Sequence, residues 1–112
     1  MIDEKYKNCI NACLACIVTC NQCATACLNE ESVNNMAKCI QLDLECAALC
    51  RAAAEIMSLN GQNVKAICRL CAEICTTCAE ECEKHGKNGM QHCKECAEAC
   101  RKCAEECSRM AA

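Results

Sequence analysis

The sequence predicts an all-α fold: an antiparallel up-down-up-down four-helix bundle with a cysteine-lined core, in a single domain over residues 1–112. Three observations lead to this prediction. The chain has no proline and only three glycines, so few residues oppose helix formation. Three short segments rich in Asn, Gly and Ser interrupt it. Between them, cysteines recur at alternating intervals of three and four residues, which keeps side chains on one helical face.

The three interruptions divide the chain into four helical segments. They are LNEES (28–32), SLNGQ (58–62) and HGKNG (85–89), whose Asn, Gly and Ser residues are typical of helix caps. The predicted helices therefore cover residues 3–28, 32–58, 62–85 and 88–109. Because the connections are short, consecutive helices are expected to run antiparallel.

Three of the four helices carry an unbroken cysteine stripe. The stripe of the first helix is Cys9, Cys13, Cys16, Cys20, Cys23 and Cys27. That of the third helix is Cys68, Cys71, Cys75, Cys78 and Cys82. That of the fourth helix is Cys93, Cys96, Cys100, Cys103 and Cys107.

The second helix keeps the same spacing with a more varied chemistry. Its cysteines are Cys39, Cys46 and Cys50. The positions that complete its stripe are Met36, Asp43, Ala53 and Met57. The sequence thus predicts that a carboxylate, Asp43, points into a core of thiols, where it needs a partner.

Antiparallel stacking of the four stripes predicts layers about 5 Å apart, because 3.5 residues of helix rise that far. In order, they are Cys27/Met36/His85/Met90, Cys23/Cys39/Cys82/Cys93, Cys20/Asp43/Cys78/Cys96, Cys16/Cys46/Cys75/Cys100, Cys13/Cys50/Cys71/Cys103, Cys9/Ala53/Cys68/Cys107 and Tyr6/Met57/Val64/Met110. All nineteen cysteines fall in six consecutive layers. One end is closed by Tyr, Met and Val, whereas the other carries His and Met, which suggests an opening there.

Composition limits the possible functions. The net charge of −3 is spread over mixed Lys/Glu pairs with no basic block, and Tyr6 is the sole aromatic residue, so nucleic-acid binding is not expected. The charged start of the chain and the lack of a run near 18 apolar residues predict a cytoplasmic protein without a membrane partner. Cytoplasmic thiols stay reduced, and nineteen is an odd number, so the cysteines indicate metal binding rather than disulfides.

Soft thiolates select Cu(I), Zn(II) or iron–sulfur clusters. Four thiolates around Zn(II) leave a charge of −2, which is repulsive when repeated along a buried core. One Cu(I) per thiolate is nearly neutral, and pairs four residues apart, such as Cys16 and Cys20, reach an ion between neighbouring turns. The loop-borne cysteine spacing of ferredoxins is absent. Cu(I) is therefore the preferred ligand, with an iron–sulfur or zinc protein as the alternative.

On the motifs CLACIVTC (13–20), CRLCAEICTTCAEEC (68–82) and CKECAEACRKCAEEC (93–107), the whole chain resembles the bacterial copper storage proteins, in particular their cytosolic branch. The resemblance implies storage of many Cu(I) ions on the nineteen cysteines and uptake at a His/Met end. It also implies a homo-oligomer, commonly a tetramer. The residues matched by place to that end are Met36, His85, Met90 and His92.

Several assignments stay open at this point. Asp43 is a copper ligand, a proton acceptor or a solvated group, and His85 is a ligand or a solvated residue at a helix C-terminus. His92 lies in the first turn of its helix, where the dipole disfavours a cation, which favours a metal-binding imidazole. Met57 and Met110 are interpreted as core fillers.

No Cys–His–acid constellation is evident, so an enzyme is not expected. A copper chaperone that binds one or two ions is the remaining alternative. Aliphatic residues in excess on the first two helices suggest that these helices face another subunit.

Overall fold

The computed structural model describes residues 3–112 and confirms the four-helix bundle. The helices are α1 (Lys7–Leu28), α2 (Ala37–Ser58), α3 (Val64–Lys87) and α4 (Gln91–Ala111). Short 3-10 turns at Glu4–Tyr6 and Val33–Met36 precede α1 and α2. Helices α1 and α3 each pack against both α2 and α4, as an up-down-up-down bundle requires. The bundle is 44 Å long and 19 by 18 Å across.

Six of the eight helix ends differ from the sequence prediction. Helices α1 and α2 begin four and five residues later than predicted because 3-10 turns occupy their expected first residues, α3 begins two residues later, and α4 ends two residues later. The turn between α3 and α4 is displaced as well. Helix α3 continues to Lys87, so His85 and Gly86 lie inside its last turn, and α4 starts only at Gln91. The reason is the reversal at Gly89, whose φ of 97° is readily adopted by glycine. There the amide of Gly89 donates to the carbonyl of Gly86, and the amide of Met90 donates to that of His85. These bonds form a Schellman motif and hold Met90 close to the end of α3.

Helix α2 ends in the same way. Asn60 adopts the left-handed conformation with φ of 54°, and the amide of Gly61 donates to the carbonyl of Ile56 at 3.1 Å. The C-terminal cap chemistry expected at these breaks is therefore present. Within the described residues, the four α-helices have no N-terminal side-chain cap. Their N-terminal ends must therefore be stabilised by packing rather than by side-chain caps.

The core of the bundle is largely sulfur. All nineteen cysteines are buried, and none has an exposed fraction above 1%. Larger aliphatic residues lie mostly outside this core, and Leu14, Val18 and Leu44 are about half exposed. The cysteine stripes, which face inward on every helix, thus occupy the positions that Leu or Ala fill in an ordinary bundle.

The first helical segment corrects one sequence expectation. Residues Glu4–Leu28 are long and apolar enough to cross a membrane by length and composition alone, and an 18-residue stretch within them has a mean hydropathy of 1.4. The cysteines of this segment count as apolar, and they face the bundle core. Its apolar run therefore has an explanation in a thiol-lined core.

Candidate metal centre

The middle of the bundle shows how the thiols meet. Cys46 Sγ lies 3.4 Å from Cys75 Sγ and 3.8 Å from Cys16 Sγ. Cys16 Sγ lies 3.8 Å from Cys100 Sγ. These four residues come from four different helices and form the layer that the stripe register predicts. The antiparallel stacking of the stripes is thus correct at this level.

The next layers follow the same register. Cys50 Sγ contacts Cys71 Sγ at 3.7 Å and Cys103 Sγ at 3.6 Å, and Cys103 in turn contacts Cys13. Contacts between layers run along α1, α3 and α4, between cysteines four residues apart. These pairs are Cys16/Cys20, Cys23/Cys27, Cys71/Cys75, Cys96/Cys100 and Cys103/Cys107, at 3.8 to 4.0 Å. Most of the sulfurs are therefore linked to one another along the bundle, and Asp43 joins Cys39, Cys78 and Cys82 to Cys96.

The spacing of the sulfurs suits shared metal ions. The nineteen thiols are free, and the sulfur–sulfur distances of 3.4 to 4.0 Å far exceed the ~2.05 Å of a disulfide. With metal–sulfur bonds of ~2.3 Å, two sulfurs at these distances subtend roughly 95° to 120° at an ion between them. Several groups of four thiols have all their sulfurs within 4.8 Å of one another, for example Cys16, Cys20, Cys46 and Cys100. Two or three soft ligands per ion are thus available with little rearrangement.

The thiols hold their protons unevenly. Burial raises the pKa of the Cys27 thiol to about 12. Hydrogen bonds among the thiols also raise the pKa of Cys100, chiefly through Cys16, and burial acts in the same direction. In contrast, hydrogen bonding with Cys100 lowers the pKa of Cys46 to about 7. Protons are therefore shared within the clusters, and a cation that replaces them removes the repulsion between buried thiolates.

Asp43 replaces a cysteine in one layer and is fully buried. Its Oδ1 accepts hydrogen bonds from Cys78 at 3.2 Å, Cys96 at 3.3 Å and Cys82 at 3.5 Å. Burial, together with the negative charge that Cys96 and Cys78 carry when ionised, raises the pKa of Asp43 to about 10. Its predicted inward position is observed, and the interpretation as a solvated group is wrong. A protonated carboxyl at this site keeps the metal-free layer neutral.

At the His/Met end, His92 meets the cysteine network directly. Its Nε2 lies 3.5 Å from Cys27 Sγ and 3.8 Å from a carboxylate oxygen of Glu30. The side chain of His92 is 23% exposed, whereas Cys27 is fully buried. One imidazole therefore connects solvent to the first thiol of the core.

His85 lies at the same end but has a different partner. Its Nε2 contacts a carboxylate oxygen of Glu81 at 3.0 Å. Glu81 is 8% exposed and also pairs with Lys84 and Lys38. Sequence reasoning missed Glu81 and Glu30. The position of Glu81 four residues before His85 was the available signal for the first of them.

The methionines complete the two ends. Met36 is buried and Met90 is half-buried, next to the end of α3 to which its amide is bonded. At the opposite end, Tyr6, Val64 and Met57 are buried, so this end is closed as predicted. Within the described residues, thiols thus lie along the whole bundle axis, whereas the His side chains lie at one end of it.

Comparisons with known proteins agree with this arrangement. A family profile described as "Copper storage protein" matches residues 2–112. The uncharacterized cysteine-rich protein YhjQ of Bacillus subtilis is 46% identical over 68 residues. That match covers 60% of this chain and 63% of the relative, so the matched part is less than two thirds of the length of YhjQ.

Two solved structures are similar over nearly the whole chain. The Cu(I)-bound copper storage protein BsCsp3 is 44% identical, with a TM-score of 0.90, and the match covers 97% of this chain and all of that one. A cytosolic copper storage protein from Streptomyces lividans with five coppers is 38% identical, with a TM-score of 0.90. This second match covers 96% of this chain and 92% of that one.

Proposed function

Because the chain belongs to the copper storage protein family, we propose that it stores many Cu(I) ions inside its four-helix bundle in the cytosol. The bundle buffers the free ion and withholds it from other sites. One observation supports this proposal above the others: nineteen buried, free cysteines line the bundle axis from one end to the other. A site for one or two ions would need only two to four of them.

The ligands we propose are the nineteen cysteine thiolates, aided by Asp43 in the core and by the donors at the His/Met end. Those donors are Met36, His85, Met90 and His92. His92 is the first imidazole to meet an incoming ion, since it touches Cys27. The Nε2 contact of His85 with Glu81 leaves Nδ1 as the nitrogen available to a metal.

Loading exchanges protons for metal. Each Cu(I) that binds a neutral thiol forms one copper–sulfur bond and releases one proton, so the charge of the core stays near zero. The ion then moves inward by exchange between thiolates, because most of the sulfurs lie 3.4 to 4.0 Å from another thiol. Proton release on loading is therefore part of the function.

The test is an anaerobic titration of the reduced protein with Cu(I) in the presence of a coloured chelator. We expect uptake close to one copper per cysteine. Saturation at one or two ions would overturn storage and support a chaperone that uses the His/Met end. Tight occupancy by Zn(II) in place of Cu(I), or visible iron–sulfur absorption after purification, would favour the remaining alternatives.

Two variants make the titration specific to the core. Cys46→Ser removes a central thiol, and Ala53→Cys adds one at a fully buried position that completes a layer of Cys9, Cys68 and Cys107. We expect the first to lower capacity and the second to keep or raise it. Equal loss in both would indicate that capacity depends on packing rather than on the number of thiols.

We further propose a single domain, a homo-oligomer and no catalytic activity. The cytosolic Streptomyces lividans protein supports the location. Half-exposed Leu14 and Val18 on α1 and Leu44 on α2 support a subunit interface on these helices. Because the cysteines are fully buried, no exposed activated thiol of the kind found in thiol enzymes supports catalysis in residues 3–112. Nucleic acid and membrane are not proposed partners.

A further inference from the structure

The closed end of the bundle contains a sulfur contact that the cysteine count does not include. Cys68 belongs to the last thiol layer, with Cys9, Cys107 and Ala53. Cys9 Sγ and Cys107 Sγ lie 3.6 Å apart. Cys68 Sγ instead donates to the thioether Sδ of Met57 at 3.9 Å, and within residues 3–112 it makes no other hydrogen bond. Ala53 offers no sulfur at the remaining position of this layer.

Met57 is fully buried and belongs to the layer that closes the bundle. A leucine would fill a similar volume, yet here the side chain brings its sulfur into contact with the Cys68 thiol. Thioethers are soft donors and bind Cu(I) as thiolates do. The contact therefore supplies a second soft ligand where the layer has only three cysteines.

We propose that Met57 Sδ and Cys68 Sγ hold a Cu(I) ion at the closed end of the bundle, an inference that rests on the proposed storage function. With metal–sulfur bonds of ~2.3 Å, their separation corresponds to an angle of roughly 116° at the ion, close to trigonal. Cys9 or Cys107 of the same layer supplies the third donor, as a thiolate shared with a second Cu(I) whose charge balances it.

Charge favours this ligand pair. A neutral thioether and one unshared thiolate around Cu(I) give a neutral site, whereas a thiolate in place of the thioether would leave a negative charge beside Tyr6 and Val64, both buried. The thiol proton of Cys68 leaves when the ion binds, and the thioether has no proton to lose. The store is therefore extended by one ion without an additional charge.

The test compares Met57→Leu with Met110→Leu, a half-buried methionine of the same end. In the anaerobic titration, we expect M57L to bind one copper fewer per chain and M110L to bind as many as the unmodified protein. Selenium X-ray absorption of loaded selenomethionine protein provides the second measurement. A copper neighbour of selenium should weaken in M57L and persist in M110L.

The outcomes separate this proposal from storage itself. Full capacity in M57L with an unchanged selenium spectrum would overturn the Met57 site while copper storage stands. Uptake of only one or two ions by the unmodified protein would overturn the storage function. If M57L does not fold, a Met36→Leu/Met90→Leu/Met110→Leu variant retains Met57, and lack of a copper neighbour of selenium there would overturn the proposal.

Discussion

Substitution of the buried carboxyl provides a quantitative prediction for the metal-free protein. Burial and the neighbouring thiols raise the pKa of Asp43 from its ordinary value of 3.8 to about 10. The folded chain therefore holds one proton more than the unfolded chain between about pH 4 and pH 10. Stability contributed by this group is complete below pH 4 and is lost as the pH rises through that interval.

The magnitude follows from linkage. One extra bound proton lowers the free energy of unfolding by about 1.4 kcal/mol per pH unit, hence by about 4 kcal/mol between pH 5 and pH 8. Asp43→Asn removes the titration and keeps an oxygen that accepts from Cys78 and Cys96. We expect the free energy of unfolding of D43N to lose this dependence on pH. The difference in free energy of unfolding between D43N and the unmodified protein should therefore grow in favour of D43N as the pH rises.

The assay is urea unfolding followed by circular dichroism, anaerobically, with a reductant and a chelator, at each pH from 5 to 8. Asp3→Asn is a matched control because Asp3 is exposed and is the chain's other aspartate. Its pH dependence should follow that of the unmodified protein. Parallel curves for D43N and the unmodified protein would refute the reasoning, since Asp43 would then be ionised inside the fold.

Three further predictions concern loading and assembly. Cu(I) binds the folded thiol clusters, so the melting temperature should rise strongly on loading. A single site contributes about 2.7 kcal/mol to the free energy of unfolding when free Cu(I) is at a hundred times its Kd. Equal melting temperatures of metal-free and loaded protein would contradict storage in the core. His92→Ala should slow Cu(I) uptake in stopped-flow absorbance while final capacity falls by at most one ion, because His92 contacts Cys27 at the surface of the network; an unchanged rate would mean that ions enter elsewhere. Leu14→Glu/Val18→Glu should convert the oligomer to monomer in sedimentation velocity, and an unmodified protein that already sediments as a monomer would remove the interface.

Much of the site follows from spacing. Cysteines three and four residues apart must share a helical face, and short connections force the helices to alternate in direction. Together these rules placed Cys16, Cys46, Cys75 and Cys100 in one layer, and the structure brings these sulfurs within 3.8 Å of their neighbours. They also placed Asp43 inside the core and the histidines at one end.

Other features required coordinates. The sequence placed the third helix end at residue 85, whereas the left-handed glycine at 89 lets α3 run to Lys87. No run near 18 apolar residues was recognised in the sequence, whereas Glu4–Leu28 is long and apolar enough to span a membrane by length and composition. The partner of His85, Glu81, depends on a rotamer that spacing alone does not determine.

The sequence by itself determined the bundle, its register and the soft chemistry of its core, because helical periodicity and loop length act through the backbone and leave few alternatives. The tertiary structure decided which donor each thiol meets. Cys78, Cys82 and Cys96 converge on one oxygen of Asp43, and Cys68 turns to Met57. These contacts join different helices, and a displacement of about 1 Å between helices is enough to make or break a hydrogen bond. They therefore depend on how the helices pack, which the spacing of residues along one helix does not determine.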